Sequence, residues 1–371
     1  MTSLTGTGRA RAWAWIAHLR GGGTTPWGAW TSASVPGAAE DGGRFLPGAQ
    51  QLELLRRVNL AGRPSEPLVE RVLTASAPGR GRPDLELVGV DETRQFGPPA
   101  VDPADLPDEE LLRVATGLLA EDVVAVGRPA HTPERRPRRL RTRYELVGDP
   151  WVAPALTAQL VADGRPPGGR GRAVHVLGAD LATMLGHAWT ASCLGDGAPS
   201  WPDFLAKARA RRRLPHRLDL VTIAERFLAR PHTGRVDVVL DPALLPALVG
   251  VRRLDPTPDL AVPAADLARQ VGVALSLLVT PPVQTRLLHA VVLPRLAPLP
   301  GNRPEVPAEH RDWVEDAATG LRRRLLRTGY PVMGDPDRLL PRWPAAGSPD
   351  RATQHGTVLD LAIGLLLEPL T

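Results

Sequence analysis

Residues able to do chemistry are sparse in this chain, and the densest run of them lies near its start. His18-Leu19-Arg20-Gly21-Gly22-Gly23-Thr24-Thr25-Pro26-Trp27 sets three glycines between a cation and two hydroxyls. Read by itself it is a glycine turn between two elements, one that could open a helix with Thr24 or Thr25 as N-cap and Pro26 at its first position. The other candidate is His187, one helical turn beyond Thr183, which as a general base could deprotonate an acceptor hydroxyl. A solvent-facing or capped histidine is its alternative. His175 alternates with Val174 and Val176 and reads as a core residue, while His131, His216 and His232 lie near prolines or arginines and read as loop residues.

Other chemistries lose their usual support. No pair of histidines has ligand spacing with an acid nearby, so a zinc site is not expected. Cys193 is the single cysteine, which excludes an internal disulfide, and it reads as buried and inert. Of the 45 basic residues only Lys207 is a lysine, so Schiff-base chemistry or a P-loop lysine would have to use that one residue. It stands in an arginine run far from any glycine loop. Gly-x-Ser-x-Gly and Gly-x-Gly-x-x-Gly are both absent, which leaves hydrolase and dinucleotide readings without their motifs.

The net charge of +5 is unevenly distributed. Arg135, Arg136, Arg138, Arg139, Arg141 and Arg143 form one basic cluster, and Lys207, Arg209, Arg211, Arg212, Arg213 and Arg217 form another. Outside them the chain is net acidic. Two confined positive patches suit an anionic nucleotide or another small anion. Neither has the interleaved aromatics of a base-stacking surface, so nucleic acid is the weaker partner reading. No run of about 18 apolar residues occurs and the first residues lack signal-peptide order, which suggests a soluble, cytoplasmic protein with no membrane partner. The oligomeric state is not legible.

These residues need elements to hold them. Short apolar runs alternate with amphipathic stretches, the pattern of an α/β fold with a mainly parallel sheet and flanking helices. Strands are expected at Trp13 to His18, Leu85 to Val90, Ala173 to Leu177 and Arg235 to Asp241. Helices are expected at Gln50 to Val58, Asp108 to Val126, Asp180 to Ser192, Trp201 to Arg213 and Asp219 to Ala229, with Thr24 or Thr25 capping another that begins at Pro26. The two strands near 173 and 236 should be parallel neighbours joined by a crossover. After Asp241 the chain reads as helical, its clearest helix bracketed by Pro307 and Gly329 with Val314, Ala317, Leu321 and Leu325 inward. Residues 1–371 read as a single α/β domain with a proline- and arginine-rich linker or loop at about 127–143.

Val174-His175-Val176-Leu177-Gly178-Ala179-Asp180-Leu181-Ala182, with Trp189 nine residues after Asp180, is similar to the apolar strand, Arg-Asp-Leu-Ala motif and following Trp of one family, the bacterial, actinobacterial-type sulfotransferase-like proteins with a P-loop-like fold. Gly329-Tyr330-Pro331-Val332-Met333-Gly334-Asp335 is similar to its Gly-Tyr-x-Val-x-Gly-Asp ending, and Gly43-Arg44-Phe45-Leu46-Pro47-Gly48 to its Gly-x-Leu-Tyr-Pro-Gly segment. The resemblance implies transfer of a sulfuryl group from a nucleotide sulfate donor (PAPS), as co-substrate, to a small acceptor. It also implies a donor pocket formed by Arg20, Gly22, Gly23, Thr24 and Thr25, with Gly178 and Asp180 facing the same crevice at the carboxyl end of the sheet. Two positions depart from the family: Gly21 stands at the place of the loop lysine and Ala179 at the place of the arginine that binds the donor's 3′-phosphate. Two function readings follow, a sulfotransferase-like enzyme with a degenerate donor loop and a non-catalytic binding or scaffold protein of the same fold.

Overall fold

Three apolar runs, Tyr144–Gly148, Arg172–Leu177 and Thr233–Val239, form the strands β1, β2 and β3, and Val332–Met333 adds β4. All pair in parallel, in the order β1-β2-β3-β4. The computed structural model describes residues 4–31, 46–75, 84–90, 99–127, 143–195, 197–211, 214–343 and 355–368. Its helices in chain order are α1 (Leu4–Arg20), α2 (Ala49–Ala61), α3 (Glu66–Thr74), α4 (Asp108–Val126), α5 (Val152–Ala162), α6 (Leu181–Cys193), α7 (Trp201–Ala210), α8 (Leu220–Leu228), α9 (Leu245–Leu248), α10 (Val262–Leu275), α11 (Pro281–Leu287), α12 (Leu293–Leu296), α13 (Ala308–Thr328) and α14 (His355–Leu367). None is long and apolar enough to cross a membrane.

The chain divides into two compact units. The first comprises Met1–Gly127, Asp266–Val292 and Ala352–Thr371, and the second comprises Arg128–Ala265 and Leu293–Arg351. The first boundary falls at Gly127, where the proline- and arginine-rich segment begins; residues 128–142 of that segment lie outside the described residues.

The second unit carries the sheet. The register sets Leu146 beside His175 and His175 beside Asp237, so side chains of odd and even number fall on opposite faces of β2. On one face Tyr144, Leu146, Leu177 and Val239 pack with Ala153, Leu156 and Leu160 of α5 and with Leu245 and Val249. Leu160 is fully buried, and truncating such a residue to alanine costs ~2–5 kcal/mol. The strand expected at Arg235 to Asp241 begins two residues earlier, and its pairing with β2 is the expected parallel one. α13 runs from Ala308 to a left-handed Gly329 cap (φ 68°), with Ala318 buried at the inner position assigned to Ala317.

The first unit is helical, and two expected strands fall in it. Trp13 to His18 belongs to α1, because the buried residues Ala12, Trp15, Ile16 and Leu19 recur with helical and not strand spacing. An apolar run of that length reads equally as a strand when its flanks are ignored. Leu85 to Val90 makes only a single parallel bridge, Leu87 to Val101. Its backbone instead closes the start of α2: Ala49 N–H donates to the Leu85 carbonyl at 2.8 Å, and Leu85 N–H donates to Gln50 Oε1 at 2.9 Å. Pro26 opens a 3₁₀ turn at Trp27–Ala29 in place of the expected helix.

Candidate functional site

The glycine segment is a helix end. Gly21 N–H donates to the Ala17 carbonyl at 3.1 Å, Gly22 N–H to Leu19 at 3.0 Å and Gly23 N–H to His18 at 2.9 Å, so the backbone donors close the last turn of α1. The Asn59 side-chain amide donates to the Leu19 and Gly23 carbonyls at 2.9 and 2.8 Å. His18 Nε2 lies 3.1 Å from Thr25 Oγ1, and the ring stacks on Trp30 with centroids 4.5 Å apart. Trp15 Nε1 donates to the Thr25 carbonyl at 2.9 Å. A Cβ at position 23 would stand 2.2 Å from His18 Nε2, so any larger residue there must displace that ring. Arg20 pairs with Glu70 at 3.1 Å on the surface. Thus Arg20 ends a helix of the first unit, and Gly22, Gly23, Thr24 and Thr25 follow that helix and not a strand; Asp180 and His187 belong to the second unit.

In the second unit an aspartate follows each long strand. Asp149 comes directly after β1, Asp180 three residues after β2 and Asp241 two residues after β3. Each first serves local structure. Asp149 Oδ1 accepts from the N–H groups of Trp151 and Val152, both at 2.9 Å. Asp180 Oδ1 accepts from Thr183 N–H at 2.9 Å, the N-cap of α6, and Asp241 accepts from Ala243 N–H and pairs with Arg338 at 2.8 Å. Ala179 N–H points at Met184 Sδ, 3.2 Å away. Gly148 lets these ends converge, since its φ is +103° and a Cβ there would stand 2.3 Å from the Leu177 carbonyl oxygen.

His187 joins this rim. From the second turn of α6 its Nδ1 lies 2.6 Å from Asp149 Oδ2, while Nε2 lies 3.5 Å from Asp259 Oδ1. Arg303 pairs with the other oxygen of Asp259 at 2.5 Å. The partners are fixed in turn: Trp151 Nε1 donates to the Pro258 carbonyl at 3.0 Å, and Val262 N–H to the Asn302 carbonyl at 2.9 Å. Burial alone would lower the His187 pKa, but the bonds and charges of Asp149 and Asp259 outweigh it and push it up to about 9. His187 is therefore a cation at neutral pH with both nitrogens engaged. It has no lone pair for the general-base role, and Asp259 is held below the usual carboxylate range chiefly by the imidazolium bond.

No family model, curated protein or solved structure matches this chain. The site is thus read from its own geometry. His187 was visible in the sequence, but Asp149, Asp259 and Arg303 were missed. Asp149 carries a faint signal, an acid directly after an apolar run and just before a helical stretch, as at Asp180. Asp259 and Arg303 carry none, because only the fold brings them to the imidazole. Among the described residues no group of three or more histidine, cysteine, aspartate or glutamate side chains is placed to hold a metal ion.

His175 and Asp237 form a second polar pair, a cross-strand one in the interior of the sheet. His175 Nδ1 lies 3.4 Å from Asp237 Oδ2, both residues are buried, and neither ring nitrogen has a hydrogen-bond partner. Arg235, two residues before Asp237 on the same strand, approaches the carboxylate to 3.0 Å. Burial, reinforced by the Arg235 charge, holds the His175 pKa below its usual value despite Asp237.

Proposed function

We propose that this chain is a non-catalytic binding protein built on a sulfotransferase-like parallel α/β unit. The observation that carries the reading is the bonding of Gly21, Gly22 and Gly23: the N–H groups that would cradle a donor phosphate are engaged by carbonyls of α1. Arg20, the remaining cation of that loop, is engaged by Glu70. Sulfuryl transfer from PAPS also needs positive potential at the donor end of the sheet, whereas the cations at the strand ends here, His187 and Arg338, are already paired with Asp149 and Asp241. Gly21 and Ala179 remove two cations that the resemblance implies. At ~1.5–3 kcal/mol per charged hydrogen bond, their loss weakens donor binding by roughly two to four powers of ten.

Calorimetric titration of the full chain with adenosine 3′,5′-bisphosphate, the nucleotide product of sulfuryl transfer, tests this. The expected result is no binding in the micromolar range. Tight, salt-sensitive binding that is lost in Arg20→Ala would overturn it and restore the enzyme reading.

A further inference from the structure

The second unit contains an open cavity of about 730 Å³ between the end of α6, the outer face of α7 and the segment that follows it. That volume falls within the usual range for small-molecule sites, roughly 300–1,000 Å³. Its walls divide by chemistry. Phe204, Leu214, Pro199 and Pro215 are half-buried and apolar, while Lys207, in the last turn of α7, and Arg211, its C-cap, stand exposed.

The apolar wall is pre-formed. Phe204 stacks on Trp201 with centroids 5.8 Å apart and planes 18° from parallel, and Trp201 packs at 5.5 Å against Trp189. Both indoles are pinned through their N–H groups, Trp189 to the Pro199 carbonyl at 3.0 Å and Trp201 to the Glu305 carbonyl at 2.8 Å. A wall held this way loses little conformational freedom when a ligand arrives.

In the same unit Arg172, Arg235, Arg303, Arg322, Arg324 and Arg338 are each paired with a carboxylate. Neither the Lys207 nor the Arg211 side chain has an acidic partner among the described residues, so both are open to an external anion. Of the other polar side chains lining the cavity, the Ser192 hydroxyl already donates to the Trp189 carbonyl at 2.6 Å, which leaves the exposed His216 at its edge.

We propose that this cavity binds a small anion with a flat apolar body, such as an aryl phosphate, sulfate or carboxylate, whose ring lies on Phe204 and Leu214 and whose charge meets Lys207 and Arg211. The assignment uses neither the Arg20 loop nor the strand ends, so it stands or falls separately from the non-catalytic reading.

The test is calorimetric titration of the full chain with 1-naphthyl phosphate. Binding should weaken as salt is raised and fall about tenfold in Lys207→Gln/Arg211→Gln, a modest factor because both contacts are exposed. Leu214→Asp, which places a carboxylate on the apolar wall, should abolish binding; an unchanged melting temperature for each variant shows that it folds. Inorganic phosphate, lacking the body, and 1-naphthol, lacking the charge, should each bind at least ten times more weakly. Absence of 1-naphthyl phosphate binding, equal affinity in the glutamine variant, or inorganic phosphate binding as tightly would each overturn the assignment.

Discussion

The imidazole of His187 holds Asp149 at 2.6 Å, joining the carboxyl end of β1 to the helix that follows β2. Thirty-eight residues separate the two in sequence. The carboxylate serves two structures at once, because its other oxygen closes the first turn of α5. Asp149 is thus the point where strand, helix start and imidazolium meet.

Asp149→Asn keeps an oxygen for the α5 turn but removes the charge. The expected outcome is an imidazole that titrates well below 9 and a second unit less stable by ~1–3 kcal/mol, from loss of a buried charge-assisted bond. Proton NMR titration of the His187 ring, with denaturant unfolding beside it, measures both. An unshifted His187 titration would show that Asp259 alone supports the charge.

Stability should fall at both ends of the pH range, for two different histidines. The folded pKa of His187 is raised, to about 9, so its contribution is complete below the unfolded value near 6.5 and fades as pH rises through about 9. At ~1.4 kcal/mol per unit, up to ~3 kcal/mol is at stake. The folded pKa of His175 is lowered, so its effect has the opposite sign: stability is present above about 6.5 and declines as pH drops below it. Unfolding midpoints measured across pH should lose the alkaline decline in His187→Gln and the acidic decline in His175→Leu. Exchange of the two effects between the variants would refute the assignment.

Replacing the polar pair together should cost little. His175→Leu/Asp237→Leu removes two buried polar groups whose bonds are incomplete, and the expected stability lies within ~1 kcal/mol of the parent or above it. His175→Leu alone leaves Asp237 with only Arg235 and should be the less stable variant at neutral pH. A double variant several kcal/mol below the parent in a denaturant melt would mean that the pair is bonded more completely than its geometry indicates.

The glycine segment should respond as a helix end. Gly23→Ala must displace the His18 ring, with loss of its Thr25 bond and Trp30 stack, at ~1–3 kcal/mol. Arg20→Ala removes an exposed pair worth roughly 0–1 kcal/mol. Thermal melts of the two variants should therefore separate clearly. If Arg20→Ala proved the more damaging, Arg20 would hold more than its surface partner.

What could be read in advance followed the strength of local periodicity. β2 and β3 carry closely spaced valines, Val174 and Val176 in one and Val236, Val238 and Val239 in the other, followed shortly by Gly178 and Asp241, and α4 keeps a five-residue apolar stripe between matching ends. β1 went unseen because Tyr144-Glu145-Leu146-Val147 is short, half polar and follows an arginine run, and the two residues of β4 carry no pattern at all. α1 was misread because three tryptophan and isoleucine side chains within four positions imitate a buried strand. Of the site, Asp180 and His187 sit on one predicted helix and could be seen together. The carboxylate partners of His187, Asp149 and Asp259, and Arg303 beyond Asp259, come from loops 38, 72 and 116 positions away from it, and pairing over such separations leaves no local trace.

Lys207 gives the cavity beside α7 an unusual chemical exposure. It supplies the only side-chain amine in 371 residues, so acylating, carbamylating or glycating electrophiles that act on lysine side chains have one destination in this protein. Acylation there would cancel one of two neighbouring charges at the cavity mouth and lengthen the apolar arm beside Phe204, leaving Arg211 to hold an anion alone.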